Sequence, residues 1–251
     1  MVLQEDSGLQ LLNTIDEKID LLAEIGLENL VIHPFDETFS RLTAEDFVKT
    51  ILVDRFHIQK IIIGHDHRFG RNRTADIDDL IAFGKKYNFE VEQISVQEIN
   101  EISVSSTKIR NALLEGNMTL ANDYLGYAYF LTGTVVKGKQ LGRTINFPTA
   151  NLNIKENYKL IPQNGVYIVK SVINEQTVFG MMNIGFNPTV NGQNQTIEIH
   201  YFDFDADLYD KEIRVSILQR IRSEQKFESV NLLKAQLETD KQMAISYLNH
   251  L

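Results

Sequence analysis

A parallel α/β region, followed by a small antiparallel β-barrel with a C-terminal helix, is the fold this sequence predicts. Three observations carry it. Between Thr14 and Ile94, stretches of helical periodicity alternate with short apolar runs, as strands joined by covering helices do. After Tyr127 the periodicity becomes strand-like, with turn signals such as Asn164-Gly165 and Asn191-Gly192 between the runs. The final stretch repeats Leu233, Leu237, Ala244, Leu248 and Leu251 along one side of a helix that Ser229 can cap.

Composition narrows the class. A chain of 251 residues has room for one large domain or two small ones. Lys plus Arg total 25 and Asp plus Glu 34, a net charge of -9 that argues against a nucleic-acid backbone as the main partner but leaves room for a local phosphate site. With 0 cysteines there is neither a disulfide framework nor a thiolate metal site. No apolar run reaches membrane-spanning length, and the first residues do not read as a signal peptide. We expect a cytoplasmic protein that meets small molecules and has no membrane partner.

Taken in order, Thr14-Ile15-Asp16-Glu17 has the spacing of a capping box, and Ile15, Ile19, Leu22 and Ile25 follow at helical intervals up to Gly26. Leu30 to Ile32 reads as a short buried strand limited by Pro34. Thr43 and Asp46 suit the cap of a helix carrying Phe47 and Ile51. Ile58 to Ile63 is a second strand ending at Gly64, Asp76 to Tyr87 a helix with Ile77, Leu80 and Ile81 inward, and Phe89 to Ile94 a third strand. At the strand end, Gly64-His65-Asp66-His67-Arg68-Phe69-Gly70-Arg71-Asn72-Arg73 gathers three arginines that could hold phosphate where open α/β sheets bind ligands, or forms a solvated basic loop. Its two histidines have no nameable third metal ligand. Ser105, Ser106 and Thr107 can cap a helix running toward Glu115, with Lys108 and Arg110 near its start; such caps are common, and some hold phosphate. Gly116 to Met118 breaks that helix, Thr119 to Leu125 forms another, and Gly126 marks the boundary of two domains, 1–126 and 127–251. Tyr129 to Val136, Val166 to Ile173, Val178 to Ile184, Thr196 to Phe202 and Ile213 to Leu218 are the barrel strands.

The chemistry is concentrated in Val136 to Asn151. Gly138 and Gly142 allow tight turns with exposed N–H groups, Lys137, Lys139 and Arg143 bring positive charge, and Thr149 and Asn151 bring two neutral oxygens close together. Such a set suits a Mg-nucleotide. The spacing is not a P-loop, and no helix is expected after the loop. The alternative is a solvated basic hairpin turn, with Pro148 ending a strand. Along Thr196 to Phe202, Glu198, His200 and Phe202 share a face, and a carboxylate beside that ring needs a partner or a pocket. Glu198 is the chief acid–base candidate; the alternative is a solvent-facing strand residue. Met181 and Met182 read as core filler, and Arg220 as part of a solvated charge pattern.

The run from Gly138 through Arg143-Thr144 to Pro148-Thr149-Ala150-Asn151 resembles the riboflavin kinase signature. The whole chain resembles the rear part of the bacterial bifunctional riboflavin kinase/FMN adenylyltransferase family. Family members usually have glycine where this chain has Asn146, a residue that tolerates unusual dihedrals. The resemblance implies a truncated Rossmann-like nucleotidylyltransferase region followed by a riboflavin-kinase barrel. It implies riboflavin and ATP as substrates, FMN and ADP as products, and Mg²⁺ held by Thr149 and Asn151. Gly138 and Arg143 would cradle the nucleotide, Asn183 and Arg222 would contact flavin, and Glu198 would be the general base. The Asn183 to Thr189 stretch would be a loop supporting the isoalloxazine side. Gly64, Asp66, Arg68 and Arg71, with Ser105, Ser106, Thr107 and Arg110, would be a vestigial adenylyltransferase site. The paired histidines that adenylyl transfer needs have no counterpart here, so that activity is expected to be absent, and the front region would serve as a scaffold, a weak nucleotide site or a surface for self-association. A shorter chain of residues 127–251 is expected to fold and make FMN, with lower stability. Two other readings follow from the same residues: a bifunctional enzyme making FAD, and a non-catalytic flavin-binding regulator.

Overall fold

The structure, a computed structural model, describes residues 10–64, 67–94, 98–99, 102–138, 141–189 and 192–250, with backbone alone at 98–99, 102–103, 141, 187–189 and 192–194. It divides into two compact units, one containing Leu27–Ser103 and the other joining Leu9–Gly26 to Val104–Leu251. Compactness draws its line between Ser103 and Val104; a functional boundary at 126/127 stays a proposal.

The first helix, α1 (Ile15–Glu24), starts at the expected capping box and belongs to the larger unit. The smaller unit begins with α2 (Glu37–Ser40, capped by Asp36), which the sequence pattern did not predict, and α3 (Ala44–Phe47, capped by Thr43), which runs into a π-helical turn, Val48–Val53. Then come β1 (Lys60–Gly64), α4 (Ile77–Tyr87) and β2 (Glu90–Ile94). β1 and β2 pair in parallel, Lys60 opposite Glu90 and Gly64 opposite Ile94, and Val48, Ile63, Leu80 and Phe89 form the core beneath them. Ile81, expected inward, is exposed. Leu30 to Ile32, expected as a buried strand, is neither strand nor buried: Val31 is 61% exposed. An apolar run becomes a strand only where another backbone takes its N–H and C=O groups, and the described parallel sheet has two strands. Two further two-residue strands, β3 (Glu98–Ile99) and β4 (Ile102–Ser103), pair with each other.

The larger unit continues with α5 (Ser106–Leu114) and α6 (Met118–Leu125), then β5 (Phe130–Val136), α7 (Leu141–Thr144), β6 (Ala150–Asn153), β7 (Gly165–Ile173), β8 (Gln176–Thr189), β9 (Gly192–Tyr201), β10 (Glu212–Arg222) and α8 (Val230–Leu248). The strands close an antiparallel barrel in the order β10-β5-β6-β9-β8-β7. Alternation along the strands sends Leu131, Val135, Val169, Ile184, Ile197, Ile199, Val215 and Ile217 into the core. The same core takes Ile109, Leu113 and Met118 from α5 and α6.

Four expectations need correction here. A one-turn helix, α7, does follow the glycine loop: Ile145 and Phe147 donate N–H bonds back to the Gly142 carbonyl at 3.2 and 2.8 Å. β6 was missed; it has four residues, and pairs with β5 and β9. Asn183 to Thr189 is the end of β8 rather than a loop, with Gly185 opposite Thr196 and Pro188 opposite Gln193. Arg220 is partly buried instead of solvated, donating to the Asn164 carbonyl at 2.8 Å and packing where Gly116 and Gly165 lack side chains.

One buried ion pair ties α1 to the barrel unit. Lys159 and Glu17 are 0% and 2% exposed, with Nζ 2.5 Å from Oε2. Glu17 also accepts the Thr14 and Thr132 N–H groups at 3.0 and 3.1 Å, and Lys159 donates to the Leu12 carbonyl at 2.6 Å while its Nζ lies 4.5 Å from the centre of the Tyr129 ring. Burial pushes the Lys159 pKa down, against the pull of Glu17. Such a pair is tolerable because nearly every lone pair and proton is used. Lys159→Met should therefore destabilise the protein by about 3–5 kcal/mol, because Glu17 is left buried without its counter-ion. Adding Glu17→Gln should recover much of the loss; denaturant melts of the two variants check it.

Candidate active site

Residues scattered from 151 to 222 in sequence meet on one lateral row of the barrel. Asn151 on β6 stands opposite Glu198 on β9, Glu198 opposite Asn183 on β8, Asn183 opposite Val166 on β7, and Val166 opposite Arg222 on β10. Directly paired residues present their side chains to the same face of a sheet. Register shifts in β10 between Ile217 and Gln219 and between Arg220 and Arg222 bring Arg222 into the row. Ile197, Ile199 and Tyr201 go to the barrel core, so Glu198 and His200 take the other face of β9.

That face forms a cavity of about 260 Å³ lined by apolar residues, among them Ile145, Phe147, Val166, Met181 and Leu237, with Asn183, Glu198, Arg222 and Glu224 among its polar groups. α8 closes it: Leu233 and Leu237 pack against the cluster of Ile145, Phe147, Val166 and Met181. Asp240 lies on the same side of α8 and is fully buried. Arg222 meets it with two nitrogens, Nε at 2.9 Å from Oδ1 and Nη2 at 2.7 Å from Oδ2, and donates Nη1 to the Ser223 carbonyl at 3.0 Å. The guanidinium thus fastens α8 and the chain after β10 while forming part of the cavity wall.

A second cavity, of about 800 Å³, lies beside Arg143, Asn146, Pro148 and Thr149 and is bounded by Asp205, Asp207 and Tyr209. Arg143 Nη2 donates to the Tyr209 hydroxyl at 3.2 Å. Asn146 has φ +65°, a left-handed conformation that asparagine adopts more readily than most residues. Gly138 approaches the Asn151 amide so closely that a Cβ would collide with it, and a Cβ on Gly142 would strike the Phe147 carbonyl. The loop glycines therefore serve close approach.

Thr149 lines both cavities, and its Oγ1 donates to Glu198 Oε2 at 3.2 Å. Next to it, His200 Nδ1 is 2.9 Å from the Pro148 carbonyl, and its ring lies 5.0 Å from that of Phe147. Burial holds the imidazole below its ordinary pKa, although the Pro148 bond favours an N–H on the ring. Sequence reasoning had not placed the second carboxylate of the first cavity, Glu224, or the buried Asp240. The helical spacing of Leu233, Leu237, Asp240 and Ala244 was the available signal for Asp240.

The front-region candidates belong to both units. Gly64 ends β1, and Arg68 and Arg71 are exposed in the smaller unit, whereas Ser105, Ser106, Thr107 and Arg110 belong to the larger one. Asp66 lies outside the described residues. Ser105 caps α5, accepting the Lys108 N–H at 3.4 Å, and Arg110 Nε donates to the Gln10 carbonyl at 2.9 Å.

Among the described residues, no group of three or more His, Cys, Asp or Glu could hold a metal ion, and no helix is long and apolar enough to cross a membrane.

The riboflavin kinase family model matches residues 125–248, and the FAD synthetase family model matches residues 1–108. The bifunctional riboflavin kinase/FMN adenylyltransferase of Buchnera aphidicola from Schizaphis graminum is 38% identical over 242 residues, covering 95% of this chain and 77% of that protein. Its counterpart in Escherichia coli K12 is 37% identical over 231 residues, covering 92% and 73%. A crystal structure of a macrolide-efflux protein from Streptococcus pneumoniae superposes with a TM-score of 0.83 at 33% identity, over 93% of this chain and 75% of that one. The chain belongs to the bifunctional riboflavin kinase/FMN adenylyltransferase family.

Proposed function

We propose that this protein is a riboflavin kinase, transferring the γ-phosphoryl group of ATP to the 5′-hydroxyl of riboflavin to give FMN and ADP. The observation that carries the reading is the Thr149–Glu198 contact where the two cavities meet. The apolar cavity between the barrel and α8 suits a flat aromatic ring with a few polar anchors. The second cavity, with Arg143 and the glycine loop at its edge, suits a triphosphate. A hydroxyl reaching from the first toward the second would pass Glu198.

Glu198 accepts the hydroxyl proton as the oxygen attacks the γ-phosphorus, and the bond to the ADP oxygen breaks. Thr149 holds one Glu198 oxygen in place, which leaves the other for the substrate. Arg143 and the Gly138 backbone bind phosphate, and Asn183 offers its amide to the flavin side. Arg222 is read as wall and fastener, since its guanidinium is engaged by Asp240. The hydroxyl of Thr149 and the amide oxygen of Asn151 fit Mg²⁺ arriving with the nucleotide, because neutral oxygens leave the charge to be balanced by phosphates. When bound, the ion supplies neutralisation of the phosphate charge. The cysteine-free, acidic composition suits a cytoplasmic small-molecule enzyme.

The smaller unit holds a two-stranded parallel sheet among the described residues. We read Gly64, Asp66, Arg68 and Arg71, with Ser105, Ser106, Thr107 and Arg110, as vestigial. Incubation with riboflavin, ATP and Mg²⁺ should yield FMN, while FMN and ATP should yield no FAD; chromatography of the flavins decides both. A folded protein that makes no FMN would defeat the kinase reading.

A further inference from the structure

We propose that His200 is a positioning residue that sets Thr149 against Glu198 by holding the carbonyl of the residue before it. The inference rests on the kinase reading of the site. The β6–β9 ladder pairs Asn151 with Glu198 and Ala150 with Ile199, which places Thr149 next in line, across from His200. Pro148 follows, and proline has no N–H to continue a ladder. The imidazole takes over at that point: the Pro148 carbonyl can only accept, so at 2.9 Å the His200 Nδ1 carries the hydrogen. Thr149 is thus held from β9 on two sides, through its own hydroxyl to Glu198 and through its neighbour's carbonyl to His200.

The ring is built into place. Phe147 and Phe202 flank it at 5.0 and 6.0 Å between centroids, and Phe147 is itself buried. The charges around the ring are Lys241 and Glu238 from α8 and Asp203 beyond β9. A neutral ring donating from Nδ1 adds no cation to the apolar cavity that Glu198 also lines.

His200→Phe keeps an aromatic ring and removes the donor; His200→Asn gives up the ring and keeps an N–H near the place of Nδ1. In steady-state riboflavin phosphorylation, His200→Phe should lower kcat on the order of 10-fold with little change in KM for riboflavin, since misplacement of a reacting group is costly. His200→Asn should restore most of that loss. A long-range ¹H–¹⁵N correlation spectrum of the unaltered protein should show the Nδ1–H tautomer at His200, a reading independent of how either variant folds. Wild-type kcat in His200→Phe, no recovery in His200→Asn, or an Nε2–H tautomer in the unaltered protein would overturn the role. An unaltered, folded protein without any turnover would overturn the kinase reading instead, whatever the tautomer.

Discussion

Replacing Glu198 by Gln is expected to lower the rate of riboflavin phosphorylation by about 10²–10⁴-fold, the usual contribution of a placed acid–base group, and to leave riboflavin binding in place. The substitution is close to isosteric. Its amide oxygen can still accept from Thr149, so the 3.2 Å contact and the turn it holds are kept. What is lost is the ability to take a proton from the substrate hydroxyl. The β-sheet register is indifferent to the change, because Asn151 and Asn183 on either side pair with Glu198 through the backbone. Binding, followed by quenching of flavin fluorescence, should therefore separate from turnover, followed as FMN formed. An unchanged rate removes Glu198 from the base role. A lost binding signal would mean that the carboxylate holds the flavin rather than the proton.

Where sequence and structure agree, a local physical rule decided the matter. Alternation fixed the face of Glu198 and His200, since Ile197, Ile199 and Tyr201 must fill the barrel. The Thr14 capping box is satisfied within four residues, and the left-handed Asn146 needs only its own side chain's tolerance. Where they differ, the deciding partner is distant in sequence. Leu30 to Ile32 has the composition of a strand but no neighbouring strand among the described residues. Ala150–Asn153 has little alternation to display, and is a strand because β5 and β9 lie on either side. Glu17, Lys159 and Asp240 are charged, so composition assigns them to the surface; each is buried because an opposite charge far along the chain meets it. The row from Asn151 to Arg222 was legible as single residues, while its assembly required the strand register.

A chain shortened to residues 127–251 is expected to be largely unfolded, whereas one of residues 104–251 should fold at reduced stability and make FMN. The sequence alone suggested that the shorter piece would stand by itself. The structure shifts that expectation, because Ile109, Leu113 and Met118 share one core with Leu131, Tyr167 and Ile217. Each such side chain contributes about 1.5–3 kcal/mol on burial. Removing three is comparable to the whole margin of a domain, about 5–15 kcal/mol. Both short chains also lose Glu17, so Lys159 must find water once α1 is gone. Chemistry should follow folding: every residue lining the two cavities lies at Val135 or beyond. Circular dichroism, thermal melts and the phosphorylation assay on the three chain lengths check this. If 127–251 melts cooperatively near the temperature of 104–251, α5 and α6 are not part of the kinase core. If 104–251 is folded and binds riboflavin but does not turn over, residues before Val104 act directly in catalysis, and the placement of the reaction within the barrel unit is wrong.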